Sequence, residues 1–349
     1  MKSIRNLLAI LLVFFIAISC TKTKVDWYEK VNLTTTTKIN KVATLKSSDS
    51  LSNPEKLKKL GAKLFIIDSK SNKVIKAFTT DDTYIGSFGM KGKGPGEILS
   101  PFGSLDFHND KVWIFDGTLN KYLGFQQDSI GSNDYKPTEN ELFFDSKVMF
   151  YELGWLDAET IVGLDVSEAN NRLLFYNITT KQITNKGSLP PLPKNNIPIS
   201  IHKQSFMATL KVKPDKNKIA LANLYADLIE IYNKDGSDVV KVKTNLDFLP
   251  KYELANNGYQ TVMGQGGDTK FGYIDMCVSD AKIYALFSGK TRAVSPFAFG
   301  KTIHVFDWKG TLLDVIELEK ESIAIEIDTD DKNLFVIEFG NANVVQYKL

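Results

Sequence analysis

The sequence predicts an all-β chain: a six-bladed β-propeller closed by an N-terminal strand. Three observations carry that expectation. Apolar segments beyond residue 37 are short, rich in Val, Ile, Phe and Tyr, and bounded by Gly, Asn, Asp or Lys, without a sustained helical period. Similar hairpins recur along the chain, the mark of a repeat architecture. The last repeat is one strand short, whereas an early strand-like segment has no partner nearby.

The elements follow in order. "MKSIRN" carries Lys2 and Arg5 ahead of the apolar run "LLAILLVFFIAI", which ends at Ser19-Cys20. A basic start, an apolar stretch and a small residue before the cut form an export signal, too short for a span of about 20 apolar residues. Ala17-Ile18-Ser19 before Cys20 resembles a bacterial lipobox, which implies a signal over 1–20 and lipid on Cys20. Residues 21–37 are polar and Thr-rich and read as a tether, leaving 38–349 as the propeller domain.

Within that domain, "LFIIDSKSNKVIKAF" (64–78), "VWIFDGTLNKYLGF" (112–125) and "LFVIEFGNANVVQYKL" (334–349) share one pattern: apolar strand, polar turn, second apolar strand. "LLFYNITTKQI", "IEIYNKDGSDVVKV" and "IHVFDWKGTLLDVIEL" place an Asx or Gly turn after an aromatic strand. Six four-stranded meanders result, with second strands near Phe65, Trp113, Ile161, Ile219, Ile283 and Phe335. The sixth lacks a strand, and a sheet left that way keeps an open edge. "KINKVATLK" (38–46) supplies the missing strand and locks the ring. Uneven spacing and the long segment 245–272 leave a seven-bladed ring as the alternative.

"FGMKGKGPGEILSPFGSLDFHNDKVWIFDGTLNKYLGF" resembles an NHL-type repeat: a Gly-rich loop, a Pro, a strand ending in Asp, an Asn turn and an aromatic strand. With the lipobox, the chain resembles the TolB-like six-bladed propeller lipoproteins of Bacteroidota. The resemblance implies fold and location, namely a cell envelope and an outer membrane. Acids often follow the cysteine in surface-exported lipoproteins of that phylum; none occurs here before Asp26, which favours the periplasmic side. It implies little chemistry, because a fold does not fix an activity.

Composition narrows the function classes. Removing residues 1–20 takes Lys2 and Arg5 from the 43 basic residues and nothing from the 41 acidic ones, so the mature chain is formally neutral. Nucleic-acid binding, which leaves a basic footprint, is not expected. Cys277 stands alone once Cys20 is lipidated, in an alternating run that reads as core.

"FGMKGKGPGEILSP" (88–101) has the glycines of a phosphate cradle but the spacing of none: Pro95-Gly96 follows Gly94 where a P-loop needs Lys-Ser/Thr, and no helix follows. It reads as a stiff blade-to-blade connection. In a meander, loops joining the fourth strand to the next blade and the second strand to the third emerge on one face. The longest insertions (86–104, 187–200, 245–272 and 289–301) all belong to that face, the usual place for binding on a rigid scaffold. Lys91, Lys93, Tyr259, Arg292, Phe297 and Phe299 are its candidate binding residues.

Histidines 108, 202 and 304 lie on separate repeats and suit neither zinc nor a catalytic triad. Asp106, Glu152, Asp275 and Glu326 fall on innermost strands, where they face a central channel. Either alternation aims some of them at water or at neighbouring backbone amides, or they converge on calcium or act as an acid/base pair as in a lactonase or glycosidase. The expected function is thus a membrane-anchored envelope module that binds a glycan, peptide or partner protein without a cofactor. The alternative is a calcium-assisted lactonase or glycoside-cleaving enzyme.

Overall fold

The computed structural model describes residues 27–33, 35–46, 50–127, 130, 141–191, 197–256, 258, 261–340 and 343–349. Three short strands come first: β1 (Glu29–Lys30), β2 (Thr37–Lys38) and β3 (Asn40–Leu45). Blade 1 is β4 (Pro54–Leu60), β5 (Lys63–Asp68), β6 (Lys73–Thr79) and β7 (Tyr84–Met90). Blade 2 is β8 (Pro101–His108), β9 (Lys111–Asp116), β10 (Lys121–Gln126) and β11 (Glu141–Phe143). Blade 3 is β12 (Phe150–Trp155), β13 (Thr160–Asp165), β14 (Leu173–Asn177) and β15 (Ile183–Lys186). A short helix, α1 (Ile199–Ser205), leads to blade 4: β16 (Ala208–Val212), β17 (Lys218–Asn223), β18 (Ile229–Asn233) and β19 (Asp238–Lys243). After a separate hairpin, β20 (Glu253–Asn256) and β21 (Thr261–Gly264), blade 5 is formed by β22 (Tyr273–Val278), β23 (Lys282–Phe287), β24 (Gly300–Asp307) and the first part of β25 (Leu312–Ile327). The second part of β25 opens blade 6, followed by β26 (Asn333–Glu338) and β27 (Val344–Lys348).

β3 completes blade 6, antiparallel to β27, with Leu45 opposite Val344 and Asn40 opposite Lys348. The expected closure by an N-terminal strand is therefore present. Phe65, Trp113, Ile161, Ile219, Ile283 and Phe335 each lie in the second strand of a blade. The seven-bladed alternative is not met: among the described residues, 245–272 holds only β20 and β21, a two-stranded sheet that joins no blade.

The cores explain why the second strands read as unbroken apolar runs. In β5, Phe65 and Ile67 pack toward blade 2, while Leu64 and Ile66 pack toward blade 6. Successive side chains of a strand point to opposite faces, so a strand buried on both faces loses its alternation. The same arrangement recurs around the ring: among the described residues each pair of neighbouring blades shares one apolar core, including the pair formed by blades 6 and 1.

The expected tether over 21–37 needs correcting at its C-terminal end. β1 adds in parallel to β19 on the outside of blade 4, and β2 adds in parallel to β25 on blade 5. Trp27 packs on Phe206, Ala226 and Leu228, and the Lys243 ammonium sits 4.4 Å from the centre of the Tyr28 ring. From residue 27 onward the chain thus covers outer strands whose free pairing edges would otherwise face water. The signal and Cys20 lie outside the described residues.

Candidate functional site

The innermost strands β4, β8, β12, β16, β22 and the second part of β25 surround a central channel, and the four predicted acids stand on them. Each accepts a backbone N–H from the next blade. Asp106 Oδ2 accepts from Trp155 (3.0 Å), Glu152 Oε2 from Leu210 (2.8 Å), Asp275 Oδ2 from Ile325 (2.9 Å) and Glu326 Oε1 from Lys59 (3.3 Å). Carboxylates here serve as staples between neighbouring blades, satisfying amides that no ladder reaches.

Two lysines of β4, spaced to project on one side, answer the remaining charge. Lys56 Nζ lies 2.7 Å from Asp275 Oδ1 and 3.9 Å from Glu152 Oε1; Lys58 Nζ lies 2.9 Å from Glu326 Oε1. Burial pushes the Lys56 pKa down, but Asp275 and Glu152 outweigh it and hold the ammonium well above its ordinary range. The acids are brought together around ammonium groups. Calcium takes about six to eight oxygens; among the described residues no group of three or more His, Cys, Asp or Glu could hold a metal ion. The donor set, already engaged by amides and lysines, does not fit the calcium site that the enzyme alternative requires.

Above this level the channel opens into a cavity of about 710 Å3, lined among others by Glu55, Lys56, Tyr151, Glu152, Phe299 and Phe339. Phe299 precedes the body of β24 and Phe339 follows β26, so both come from second-to-third-strand loops. Their rings lie 4.3 Å apart, and Phe339 remains 47% exposed. Glu55 Oε1 accepts hydrogen bonds from Asn53 Nδ2 and Ser69 Oγ, both 2.6 Å long. The cavity occupies the face where the long insertions gather.

Residues 33–330 match the family described as TolB-like 6-blade propeller-like. The chain belongs to that family. Among solved structures, this TolB-like propeller is similar to a Bacteroides fragilis protein described as exported, with 12% identity, a TM-score of 0.54, and 92% of this chain and 98% of that one covered. It is also similar to a DUF4221-family member from Bacteroides vulgatus, with 8% identity, a TM-score of 0.50, and coverage of 89% and 94%. At such identities the likeness is one of fold. Among curated proteins none matches the sequence.

The other predicted binding residues of the TolB-like propeller are dispersed. Arg292 donates from Nη1 to the carbonyl oxygen (3.3 Å) and Oε1 (3.0 Å) of Gln265, whose Nε2 donates to Tyr225 Oη at 2.7 Å. Phe297 stacks at 4.9 Å on Phe271, which contacts Tyr225. Arg292 and Phe297 therefore fasten the 245–272 insertion onto the loop face, and among the described members of the predicted set Phe299 alone lines the cavity. Tyr259 lies outside the described residues.

Lys91 donates to the Ser69 carbonyl at 2.9 Å and Lys93 is exposed. The glycine loop between them and blade 2 does present amides to anions, but the anions are its own. Gly94 N–H donates to Glu97 Oε2 (2.8 Å), Gly96 N–H to the Glu141 carboxylate, and Leu99 N–H to Asp116 Oδ2 (2.6 Å). Gly96 adopts φ +70°, where a side chain would be strained.

Sequence reasoning missed Lys56 and Phe339. In "PEKLKKL" the alternation of Lys56, Leu57 and Lys58 is visible, but a half-polar strand reads as surface until its place on the channel is known. His304 stacks at 4.8 Å on Phe287, and its Nδ1 lies 3.1 Å from Tyr273 Oη, which donates to Asp227 at 3.3 Å. Cys277 is fully buried, and burial pushes its thiol well up, as befits a core residue.

Proposed function

We propose that this TolB-like propeller is a lipid-anchored binding or scaffold module of the cell envelope, held through Cys20 on the periplasmic side of an outer membrane. Its loop-rich face holds a glycan, a peptide or a partner protein. The observation that carries this reading is the cavity at the channel mouth: about 710 Å3, within the usual range for ligand sites, and walled by aromatic rings and a few polar groups. The acids that an enzyme would need are engaged as inter-blade staples and lysine partners, which favours binding over catalysis.

A thermal-shift screen of the purified protein against oligosaccharides, short peptides and divalent cations tests it. Stabilisation by a saccharide or peptide, lost in Phe339→Ala, is the expected result. A shift with calcium alone would favour the alternative enzyme reading over this one.

A further inference from the structure

We infer that the cavity at the channel mouth takes a positively charged group on an apolar stem, as presented by a lysine or arginine side chain of a peptide. This deepens the reading of the loop-rich face as a binding surface and rests on it.

The charge of the wall points that way. Of its carboxylates, Glu338 is answered by Lys320 at 3.2 Å and Lys41 at 3.7 Å. Glu152 and Asp275 share the single ammonium of Lys56. Glu55 is held by Asn53 and Ser69, which stabilise a carboxylate by hydrogen bonding but carry no charge. With Asp275, which lies just beneath the wall, four carboxylates stand against the ammoniums of Lys56, Lys41 and Lys320, which leaves an excess of one negative charge, and Glu55 is the wall carboxylate without a cationic partner among these. Deeper in the channel, Lys58 Nζ lies 2.9 Å from Glu326 Oε1 and also feels Asp106, so that level carries a cation of its own.

The rings supply the second half of the site. Phe299 and Phe339 form an edge of the same cavity, with Phe339 half open to solvent. A cation within about 6 Å of a ring face is attracted by its quadrupole, and an apolar stem buries against the ring as the charge reaches the carboxylates. A neutral sugar would use the rings but not the excess charge.

Attachment of that group to a peptide follows from the surroundings. Met149, Leu246 and Val294 are exposed apolar side chains on loops of the same face, and Leu254 is another on the β20–β21 hairpin inserted there. A chain entering the cavity by one basic side chain can lay neighbouring residues over them; a free amine cannot.

The test is calorimetric titration of the purified protein with short peptides that differ only in a central pair: Lys-Lys, norleucine-norleucine or Glu-Glu. Maltoheptaose serves as the neutral saccharide. The Lys-Lys peptide is expected to bind at least about tenfold more tightly than its norleucine counterpart and to weaken as salt screens the wall. Glu55→Gln should cost several-fold in affinity for the Lys-Lys peptide only, and Phe339→Ala, at a half-exposed position that folding does not need, should weaken all binding. Equal binding of the norleucine peptide, or preference for the glutamate peptide or the saccharide, overturns the inference. The binding-face reading survives that result if Phe339→Ala still weakens what binds. Absence of binding to every probe, or binding indifferent to both substitutions, overturns both.

Discussion

Lys56 of blade 1 donates a hydrogen bond to Asp275 of blade 5 at 2.7 Å, joining two blades that are not neighbours in the ring. The contact passes across the channel rather than around it. With Glu152 of blade 3 at 3.9 Å, it ties three alternate blades to one ammonium.

Replacing Lys56 with Met should therefore be costly. The variant leaves Asp275 and Glu152, both buried, without their shared cation, and removing one partner of such a set costs about 3–5 kcal/mol. Because Lys56 keeps some solvent contact, a loss of about 3 kcal/mol in urea unfolding is expected. The double variant with Asp275→Asn should recover part of it. A single variant indistinguishable from the parent would show that the pair is neutral in this channel.

Acid should weaken the fold through His304. Its environment lowers the pKa to about 4 by burial, against about 6.5 in the unfolded chain. The unfolded state then binds the extra proton first, so this contribution is complete above pH 6.5 and disappears as the pH falls through 4. About 3 kcal/mol is lost across that window. Asp227, raised by burial, acts in the opposite sense, so the comparison must be with His304→Gln. The parent should lose more stability than the variant between neutral pH and pH 4; parallel curves would remove His304 as the cause.

Glycines at two loops should respond differently to Ala. A Cβ at Gly272 would collide with backbone, lying 2.7 Å from the Asn223 carbonyl oxygen and closer still to that of Ala226. At Gly92 the obstacle is the end of the Glu97 side chain, which can turn away. Gly272→Ala is expected to cost about 1–3 kcal/mol and Gly92→Ala less than about 1. Thermal melts of the two variants check the order, and the reverse order would contradict these contacts.

Replacing Leu45 and its β3 neighbours Val42 and Thr44 with Pro, which leaves β1 and β2 in place, breaks the β3–β27 ladder and takes the Leu45 side chain from the core between blades 6 and 1. β27 becomes an open edge, the usual starting point for aggregation. Such a protein should melt at lower temperature and scatter light at concentrations where the parent does not. An unchanged melt would mean that β3 is an accessory to the ring.

The ring itself was legible because its signals are local. Second strands such as Leu64–Ile67 and Val112–Phe115 are apolar throughout, and Asx turns recur after second and third strands: Asp116 Oδ1 accepts from Thr118 and Leu119, and Asn177 Oδ1, at the end of β14, from Thr179 and Thr180. What escaped was long-range. β1 and β2 are two residues each, too short for any period, and their partners lie over 200 residues away. The acids could be assigned to inner strands, but their pairing with amides of the next blade depends on how the blades meet. Arg292 and Phe297 looked like a binding surface because they are loop residues; Gln265 and Phe271, which occupy them, belong to a different insertion.

The closing strand also sets an order of events. β3 is synthesised early, yet its partner begins only at Val344, so Leu45 must wait for roughly 300 residues of chain before it has a strand to join. Until then blades 1 to 5 can form only an open arc. Ring closure therefore joins segments from opposite ends of the chain, and a chain interrupted before β27 would leave β3 and β26 without their ring partners, edges open to proteases and to other copies of itself.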